Sequence, residues 1–421
     1  MTALRNLILP VAALALSAAV SCTSPGRSGV ADDAGRFVSI KGTDLVNPDG
    51  SKLYIRGTNL GNWLNPEGYM FGFSKTNSAR MINDMFCQLV GEDATAEFWE
   101  RFKDNYITRA DIDFIASTGA NTIRLPFHYK LFTDDDYMGR NSGQEGYERI
   151  DSVVEWCRDN GLYLILDMHD APGGQTGDNI DDSYGYPWLF ESAKAQQQFC
   201  DIWQEIAGRY ADEPVILGYE LMNEPIAHYF DNKEELNARL EPLYKQAVKA
   251  IRRVDNNHIV LIGGSQWNGN FEPFTDWKFD DKMMYTCHRY GGDPTPEAIG
   301  SIIAFRDSTG HPMYMGEIGH NTDEWQTRFV TTLEDNNIGY TFWPYKKVDN
   351  SCMMGINRPE AWDSIVVAFS EGDRSSFAAL RDHKLDREAA LKAMNTFVDN
   401  ARIENCVAQK DYIRSIKLKA D

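Results

Sequence analysis

Two glutamates lie four positions apart in the strand-like stretch GYELMNEP, residues 218–225. In a regular strand, Glu220 and Glu224 face the same side because side chains alternate with a period of two. A third glutamate, Glu317, lies in a separate apolar stretch, MYMGEIG. Two carboxyl groups from different strands suit the hydrolysis of a glycosidic bond, in which one group donates a proton and the other stays ionised to attack.

The spacing within GYELMNEP predicts different roles for its two glutamates. Four residues of strand would place Glu220 roughly 13 Å below Glu224, inside the packed layers of a barrel. A carboxylate buried there needs a partner, and Arg56 in the stretch IRGTN is the candidate. We therefore predict that Glu220 is structural and that Glu224 and Glu317 are catalytic.

Other polar and aromatic residues also end apolar stretches of the sequence. A polar strand end often does no more than meet water, so one such residue carries little information. Here nearly every stretch ends this way, with two glutamates among them and no cationic cluster to neutralise the charge. The candidate substrate-binding residues are Asn59, Arg124, His169, Asn223, His288, Tyr290 and Trp343.

Eight short apolar stretches recur along the chain, each separated from the next by enough residues for a helix. Near-continuous apolar strands joined by helices are typical of a parallel sheet buried on both faces. Eight of them predict a (β/α)₈ TIM barrel, whose active site lies at the carboxyl ends of the strands. The predicted strands cover residues 53–59, 121–127, 162–169, 215–225, 258–264, 283–290, 313–319 and 339–345.

The segments around these strands support one catalytic domain over residues 36–421. Thr108 and Gly119 are the expected start and end signals of a helix within residues 107–121. Before the first strand, a hairpin around Asp49-Gly50 is predicted to plug the barrel floor. Residues 359–402 are expected to form one or two closing helices.

The motifs at these strand ends resemble those of glycoside hydrolase family 5. The resemblance covers essentially the whole mature chain. It implies a retaining mechanism with Glu224 as acid/base and Glu317 as nucleophile, for which the carboxyl groups lie about 5–5.5 Å apart, against roughly 6.5–9.5 Å for inversion. The motifs are NEP on the fourth strand, GEIG on the seventh, His288-x-Tyr290 on the sixth, Arg124 on the second and Trp343 on the eighth.

The resemblance also implies roles for the residues around the two glutamates. Charge and hydrogen bonds from neighbours would keep Glu317 ionised. Arg124 and Tyr290 would hydrogen-bond or pair with Glu317, and Asn223 would bind the sugar 2-hydroxyl. His169 and His288 would hold neighbouring hydroxyls and orient the carboxylates. Trp343 would provide a stacking floor for the sugar.

Two further stretches resemble the fungal exo-β-1,3-glucanase type, at residues 98–126 and 167–177. The loop continues through DNIDDSYGYPWLF (178–190) and is expected to close the groove into a pocket for exo action or for short oligosaccharides. Residues 344–355 depart from the fungal pattern. The expected substrate is a β-linked glucan, and β-mannan or another β-glycan is the alternative.

Two other functions are alternatives to a carboxylate-based glycosidase. Asp167 and His169 could serve a metal-dependent barrel hydrolase, but such sites commonly use an HxH pair, which the sequence lacks. Asp178, Asp181 and Asp182 could hold calcium, although a solvated acidic loop is the simpler interpretation. We therefore predict no metal and no cofactor. A glycan-binding lipoprotein without activity is the second rival, and the presence of both catalytic glutamates argues against it.

The N-terminus predicts export. Residues 7–20 are apolar and follow Arg5, as in a signal peptide over residues 1–21, and they are too few to span a bilayer. AVSC, ending at Cys22, resembles a bacterial lipoprotein signal, except that Ala19 stands where leucine is commonest. A membrane-anchored lipoprotein, periplasmic or cell-surface, with a tether over residues 22–35, is expected, and plain secretion is the alternative.

The charge and the cysteine content limit which partners and metal sites the protein can have. Removal of Arg5 with the signal peptide changes the formal charge from −20 to −21. A surface this acidic repels phosphate backbones, which excludes a nucleic-acid partner. The remaining six cysteines have no CxxC spacing, so no zinc site is predicted, and one or two disulfides stay open.

Overall fold

The computed structural model describes residues 35–420. The predicted signal peptide and nearly all of the predicted tether, residues 22–34, lie outside this range. Within it, no helix is both long enough and apolar enough to cross a membrane. All six cysteines after Cys22 are described and are free thiols.

The described chain begins with a small antiparallel sheet below the barrel. It consists of β1 (Ser39–Lys41), β2 (Asp44–Val46) and β3 (Lys52–Leu53). Leu45 and Leu53 of this sheet pack with inward residues of the barrel, such as Ile165 and Leu217. The predicted floor plug is therefore present, and it has three strands because β1 pairs with β2 ahead of the hairpin that β2 and β3 form around Asp49-Gly50.

Eight parallel strands then close into a barrel, which confirms the predicted fold. The closing pair joins the last strand to the first, with Tyr340 opposite Arg56. The strands are β4 (Arg56–Asn59), β5 (Thr122–His128), β6 (Tyr163–Asp170), β7 (Ile216–Glu220), β8 (Ile259–Gly263), β9 (Met283–His288), β10 (Met313–Ile318) and β11 (Gly339–Phe342).

Helices connect the strands and cover the barrel. The predicted helix after Thr108 carries a capping box between Thr108 and Asp111, and Gly119 follows it with φ +83°, a conformation that glycine adopts without a steric cost. The α-helices are Ala79–Val90, Glu92–Tyr106, Arg109–Ser117, Glu145–Asn160, Ala193–Tyr210, Lys233–Ile251, Gly300–Thr309, Asp323–Asp335, Ala368–Glu371, Phe377–Asp382, Arg387–Asn400 and Lys410–Ser415.

Shorter elements complete the chain. A tight turn at Ser265–Asn268 follows β8. A last sheet contains β12 (Lys346–Val348), β13 (Met354–Ile356) and β14 (Val407–Ala408). The 3₁₀ turns are Gly68–Phe71, Tyr129–Phe132, Asn179–Asp181, Trp188–Phe190, Glu297–Ile299 and Ile403–Asn405, and a π-helical turn covers Trp362–Val367. The predicted closing segment, residues 359–402, is thus helical in more pieces than expected.

The fourth barrel strand is shorter than predicted. β7 ends at Glu220, although the prediction continued it to residue 225. Glu224 instead has φ +43°, which is outside the strand region of backbone space. The strand spacing of 13 Å between the two glutamates therefore does not apply, because the chain leaves the strand between them.

Candidate active site

A pocket of about 370 Å³ opens at the carboxyl ends of the barrel strands. Five of the nine predicted site residues line it, and the other four, Asn59, Arg124, Asn223 and His288, lie buried behind the wall. The pocket is lined by Glu67, Tyr69, His169, Ile180, Glu224, Tyr290, Glu317, His320 and Trp343.

Glu317 lies near the end of β10 and receives a hydrogen bond on each carboxylate oxygen. Arg124 Nη1 donates to Oε1 at 2.6 Å, and the Tyr290 hydroxyl donates to Oε2 at 2.6 Å. Burial raises the pKa of Tyr290 well above its usual range, so the phenol keeps its proton. Both contacts were predicted and both are present. A cation and a neutral hydroxyl donor thus fix both oxygens of Glu317 in place.

Arg124 on β5 joins the nucleophile candidate to the layer below it. Its Nε and Nη2 donate to the two oxygens of Glu220 at 3.1 and 2.7 Å, and Nη2 also lies 3.0 Å from Asp167 Oδ2. The side-chain oxygens of Asn59 and Asn223 accept from the same guanidinium at 3.0 and 2.9 Å. A fully buried guanidinium is thus surrounded by acceptors on every side.

The predicted partner of Glu220 was wrong. Glu220 is fully buried, as expected of a structural residue, but it pairs with Arg124 and accepts a further hydrogen bond from the Tyr314 hydroxyl. Arg56 pairs with Glu334 at 3.1 Å and its side chain is 42% exposed. Asn59, three residues along the same strand, faces the interior, and an odd separation places Arg56 on the opposite face.

Glu224 is held by the loop after β7. The Thr176 hydroxyl donates to the Glu224 carbonyl at 2.7 Å. His288 Nδ1 lies 2.7 Å from Glu224 Oε1, and Asn268 Nδ2 lies 3.1 Å from His288 Nε2. The amide of Asn268 donates to Nε2, so Nδ1 carries the ring proton and donates it to Glu224.

Burial sets the protonation of this side of the pocket. It raises the pKa of Glu224 to about 7, and the nearby charge of Glu220 acts in the same direction. Burial lowers the pKa of His288 to about 4, so the imidazole is neutral at pH 7. Glu224 therefore carries a proton over a pH range in which an ordinary glutamate has lost it.

The two carboxyl groups lie close together across the pocket. A carboxylate oxygen of Glu224, a carboxylate oxygen of Glu317 and a ring nitrogen of His288 all lie within 4.8 Å of one another. His288 Nδ1 is 3.5 Å from Glu317 Oε2. This separation is shorter than the space that an inverting pair needs to admit a water molecule.

The donor sets do not fit a metal ion well. His169 Nδ1 faces Asp167 Oδ2 at 2.7 Å, and that oxygen also contacts Arg124. The Arg124 guanidinium likewise competes with a cation at the Glu317 carboxylate. In a metal-dependent hydrolase, the metal ligands would therefore lie against the fixed positive charge of Arg124.

The acidic loop has no free carboxylate set for calcium either. Asp181 accepts from the backbone amides of Thr176, Gly177 and Ser183. Asp182 accepts from the amide of Arg80. These carboxylates hold the loop in place, so their oxygens already have partners.

Sequence reasoning missed four residues of the pocket wall: Glu67, Tyr69, Ile180 and His320. Glu67 is buried, and burial together with the charge of Glu317 raises its pKa well above the usual range. The Tyr69 hydroxyl accepts from Trp343 Nε1 at 2.7 Å and lies 3.0 Å from His320 Nε2. All four lie outside the predicted strands, although His320 directly follows the stretch 313–319 and could have been found as a polar residue at a strand end.

Trp343 and His169 form a parallel stack at the pocket wall. Their ring centroids are 5.0 Å apart and the planes differ by 2°. Burial lowers the pKa of His169 to about 3, so an uncharged imidazole packs against the indole. His169 therefore fixes the orientation of the Trp343 ring, and both residues were predicted to bind substrate.

A closed barrel with two carboxyl groups at its mouth, one against a guanidinium and one whose pKa burial raises to about 7, has the arrangement that barrel glycosidases use. The chain matches the cellulase family profile (glycosyl hydrolase family 5) over residues 83–349 and belongs to that family. It is therefore a hydrolase of O-glycosyl bonds.

Individual proteins similar to this chain are also glycoside hydrolases by name. The chain is 29% identical over 358 residues to a β-xylosidase from Phanerodontia chrysosporium, covering 76% of this chain and 73% of the relative. It is 30% identical over 282 residues to a glucan 1,3-β-glucosidase from Kluyveromyces lactis, covering 59% and 60%. The barrel is similar to the crystal structure of a β-glucanase from Saccharophagus degradans in complex with cellotetraose, with a TM-score of 0.53, 18% identity and coverage of 87% and 94%.

Proposed function

We propose that the protein is a retaining β-glycosidase that removes sugars from the ends of β-glucan-type chains, with Glu224 as acid/base and Glu317 as nucleophile. The observation that carries this proposal is the pair itself: one carboxylate oxygen of Glu224 lies within 4.8 Å of one of Glu317, and one group lies against Arg124 while the other is desolvated. A short separation favours direct attack by a carboxylate over attack by water.

In the first step, Glu317 attacks the anomeric carbon while Glu224 gives its proton to the departing glycosidic oxygen. Arg124 and Tyr290 hold the Glu317 oxygens in place, so the attacking atom is oriented before the substrate enters. The bond to the leaving group breaks and a covalent glycosyl ester forms on Glu317. The leaving sugar departs with the proton of Glu224.

In the second step, Glu224 removes a proton from a water molecule that attacks the same anomeric carbon. The ester bond to Glu317 breaks, and two inversions give net retention. A Glu224 pKa of about 7 suits both halves of the cycle, because the group must donate a proton and then accept one near neutral pH.

The contribution of the long loop after β6 to the pocket wall supports action at a chain end. Ile180, from the loop predicted to close the groove, lines the pocket, and its carbonyl accepts from Asn65 Nδ2 at 3.1 Å. A volume of about 370 Å³ is near the lower limit of ligand pockets. The glucan 1,3-β-glucosidase and β-glucanase among the similar proteins support a β-glucosyl substrate.

Two measurements test the proposal. A 2-fluoro β-glucosyl fluoride should inactivate the enzyme and add one sugar to the peptide that contains Glu317, and labelling of another residue would refute the nucleophile assignment. Proton NMR of β-1,3- and β-1,4-linked oligosaccharides during hydrolysis should show the β-anomer first. An initial α-anomer would indicate inversion and overturn the mechanism.

We also propose export with a lipid at Cys22, which the apolar residues 7–20 and the sequence AVSC support. The chain should fractionate with membranes and extract into detergent. Cys22→Ser should move it to the soluble fraction, and an unchanged distribution would contradict the anchor.

A further inference from the structure

A buried cluster lies beneath the loop that carries Ile180 into the pocket wall. It consists of His128, the last residue of β5, Asp170, the last residue of β6, and Asp182, which belongs to the loop itself. The side chains of His128 and Asp170 are 0% and 2% exposed, and that of Asp182 is 5% exposed. We call these three residues the loop cluster. The proposed reaction uses none of them.

One imidazole proton in the loop cluster faces two carboxylates. His128 Nδ1 accepts from the backbone N–H of Lys130 at 3.1 Å, so Nε2 carries the ring proton. Nε2 lies 3.3 Å from Asp170 Oδ2 and 3.7 Å from Asp182 Oδ2. Nε2 and Asp170 Oδ2 are both buried and have no hydrogen-bond partner among the described residues. The cluster therefore has fewer donors than its two carboxylates need.

Asp182 has the better partners of the two carboxylates. Its Oδ1 accepts from the backbone N–H of Arg80 at 2.9 Å, in the first turn of the helix Ala79–Val90, where the helix dipole favours a negative charge. Arg80 Nε also lies 3.9 Å from the same oxygen. Burial opposes ionisation, but the His128 ring, the Ser78 hydroxyl and the Arg80 amide outweigh it and lower the pKa of Asp182. Asp182 is therefore the ionised member of the pair.

Asp170 has no such partner at its Oδ2. Burial, and then the charges of Asp182 and Asp181, raise its pKa well above the usual range, and Lys130 offsets only part of this. A buried carboxyl group without donors keeps its proton in preference to a charge. Asp170 is therefore the protonated member of the pair.

Uncharged rings complete the surroundings of Asp170. Burial raises the pKa of Tyr129 and of Tyr137 above the usual range, so both phenols keep their protons. Burial lowers the pKa of His128 to about 4, so the imidazole is neutral at pH 7. The titratable groups that face Asp170 are His128, Tyr129, Lys130, Tyr137, Asp181 and Asp182.

The loop has a strained backbone at the cluster. Asp182 has φ +50°, a left-handed conformation that is costly for residues other than glycine and that persists where its surroundings hold it. Ile180, two residues earlier, lines the pocket. The contacts of Asp182 thus help to set the position of Ile180 in the pocket wall.

We propose that the loop cluster closes the pocket in a proton-dependent way: the loop stays closed while Asp170 is protonated and opens when Asp170 loses its proton beside the charged Asp182. Two negative charges in one buried site repel each other, and His128 has a single proton to share between them. Asp170 is fixed on a barrel strand, so Asp182 and its loop are the part that moves. Because the closed loop raises the pKa of Asp170, opening is favoured as pH rises.

Hydrogen exchange of residues 171–190 tests this, with wild type compared against Asp170→Asn at the same pH. Asparagine keeps the shape of the protonated side chain and cannot ionise. The comparison cancels the chemical exchange rate, which itself rises with pH, and the titration of other groups that both proteins share. The ratio of the wild-type rate to the variant rate should rise about fivefold between pH 6 and pH 9. A ratio that changes by less than twofold overturns the proposal.

Two further variants control this comparison. Asp182→Asn removes the other charge of the pair, so wild type should show the same rise relative to it, and this comparison decides the proposal if Asp170→Asn folds poorly. Asp212→Asn changes an exposed carboxylate before β7 and should keep the wild-type response. Loss of the response in Asp212→Asn as well would assign it to overall charge and overturn the proposal.

The kinetics of the same variants report on the pocket, and this readout rests on the proposed function. For an aryl β-glucoside, the KM of wild type relative to that of Asp170→Asn should rise about threefold from pH 6 to pH 9, while the ratio of kcat values stays within twofold, because the loop borders the pocket without supplying a reacting group. An unchanged KM ratio overturns control of the pocket by the loop cluster. If wild type hydrolyses no glycoside, the proposed function fails, and the exchange ratio still decides whether the loop opens.

Discussion

The two proposed catalytic groups, Glu224 and Glu317, line one pocket, yet their surroundings differ. Glu317 accepts from a guanidinium and a phenol. Glu224 accepts from a neutral imidazole and is otherwise desolvated. The same side chain thus meets a charged donor at one position, whereas burial raises its pKa to about 7 at the other. The difference teaches that the neighbours at each position, more than the residue type, separate the two proposed roles.

The largest effect is expected from removal of the Glu317 carboxylate. Glu317→Ala should lower kcat/KM on the order of 10⁴-fold for every glycoside, because no group remains to attack the anomeric carbon. Added azide should restore turnover of an activated aryl β-glycoside and give the α-glycosyl azide. A β-product would mean that the two sides have been assigned in reverse.

The effect of removing the Glu224 carboxyl group should depend on the leaving group of the substrate. Glu224→Ala should lower kcat/KM by about 10³-fold for an oligosaccharide, whose departing oxygen needs a proton. The loss should be much smaller for a dinitrophenyl glycoside, which leaves as a stable anion. Azide should here give the β-glycosyl azide. Equal losses on both substrates would contradict the acid/base role.

The guanidinium between the two sides can be tested by a matched pair of substitutions. Arg124→Lys should lower kcat by about 100-fold, because an ammonium group cannot reproduce the fork that binds Glu220 and Glu317 together. Arg56→Lys, on the outward face of a neighbouring strand, is the control and should stay within twofold. Steady-state kinetics with melting curves separate lost activity from lost folding.

The raised pKa of Glu224 also predicts a stability effect. The unfolded chain loses this proton near pH 4.5 and the folded protein near pH 7, so the free energy of unfolding falls as pH rises between those values. Glu224→Gln removes this titration and should be more stable than wild type by about 3 kcal/mol at pH 8. Denaturant unfolding at pH 4 and pH 8 checks it, since the difference should be small at pH 4.

The smallest effect is a change in the pH profile. Because Glu224 must hold a proton, kcat/KM for an oligosaccharide should fall on the alkaline side with a midpoint near pH 7 and about tenfold per further pH unit. The dinitrophenyl glycoside should lack this limb. If both substrates share it, another buried acid, such as Asp167 with its own pKa of about 7, is responsible.

The sequence was most informative where an apolar strand ends in a polar residue. Glu317 lies near such an end and Tyr290 just beyond one, and their contact could be predicted because the carboxyl ends of barrel strands meet. Arg124 departs from the rule, because it lies inside β5, which continues to His128. Glu220 could be recognised as buried from its place before the strand end. Its partner could not be found without the strand register, which turns Arg56 outward.

The loops were less predictable. Glu67 and His320 line the pocket from segments without a periodic pattern, so their direction depends on tertiary contacts. Glu224 was identified by its motif, but its backbone was placed in a strand that ends four residues earlier. The left-handed residues around Trp267 are not themselves glycines, although Gly264 and Gly269 flank the turn, so composition alone does not indicate which residues adopt such a backbone.

The network around Arg124 bears on how this enzyme can diversify. Its partners come from barrel strands or directly follow one, whereas the residues that shape the pocket entrance, such as Tyr69 and Ile180, come from loops. Substitutions or insertions in the loops can therefore change which glycan is accepted without disturbing the reacting carboxylates. Selectivity can vary on a fixed chemical core, and we expect related chains to differ most at the entrance and least in the layer beneath it.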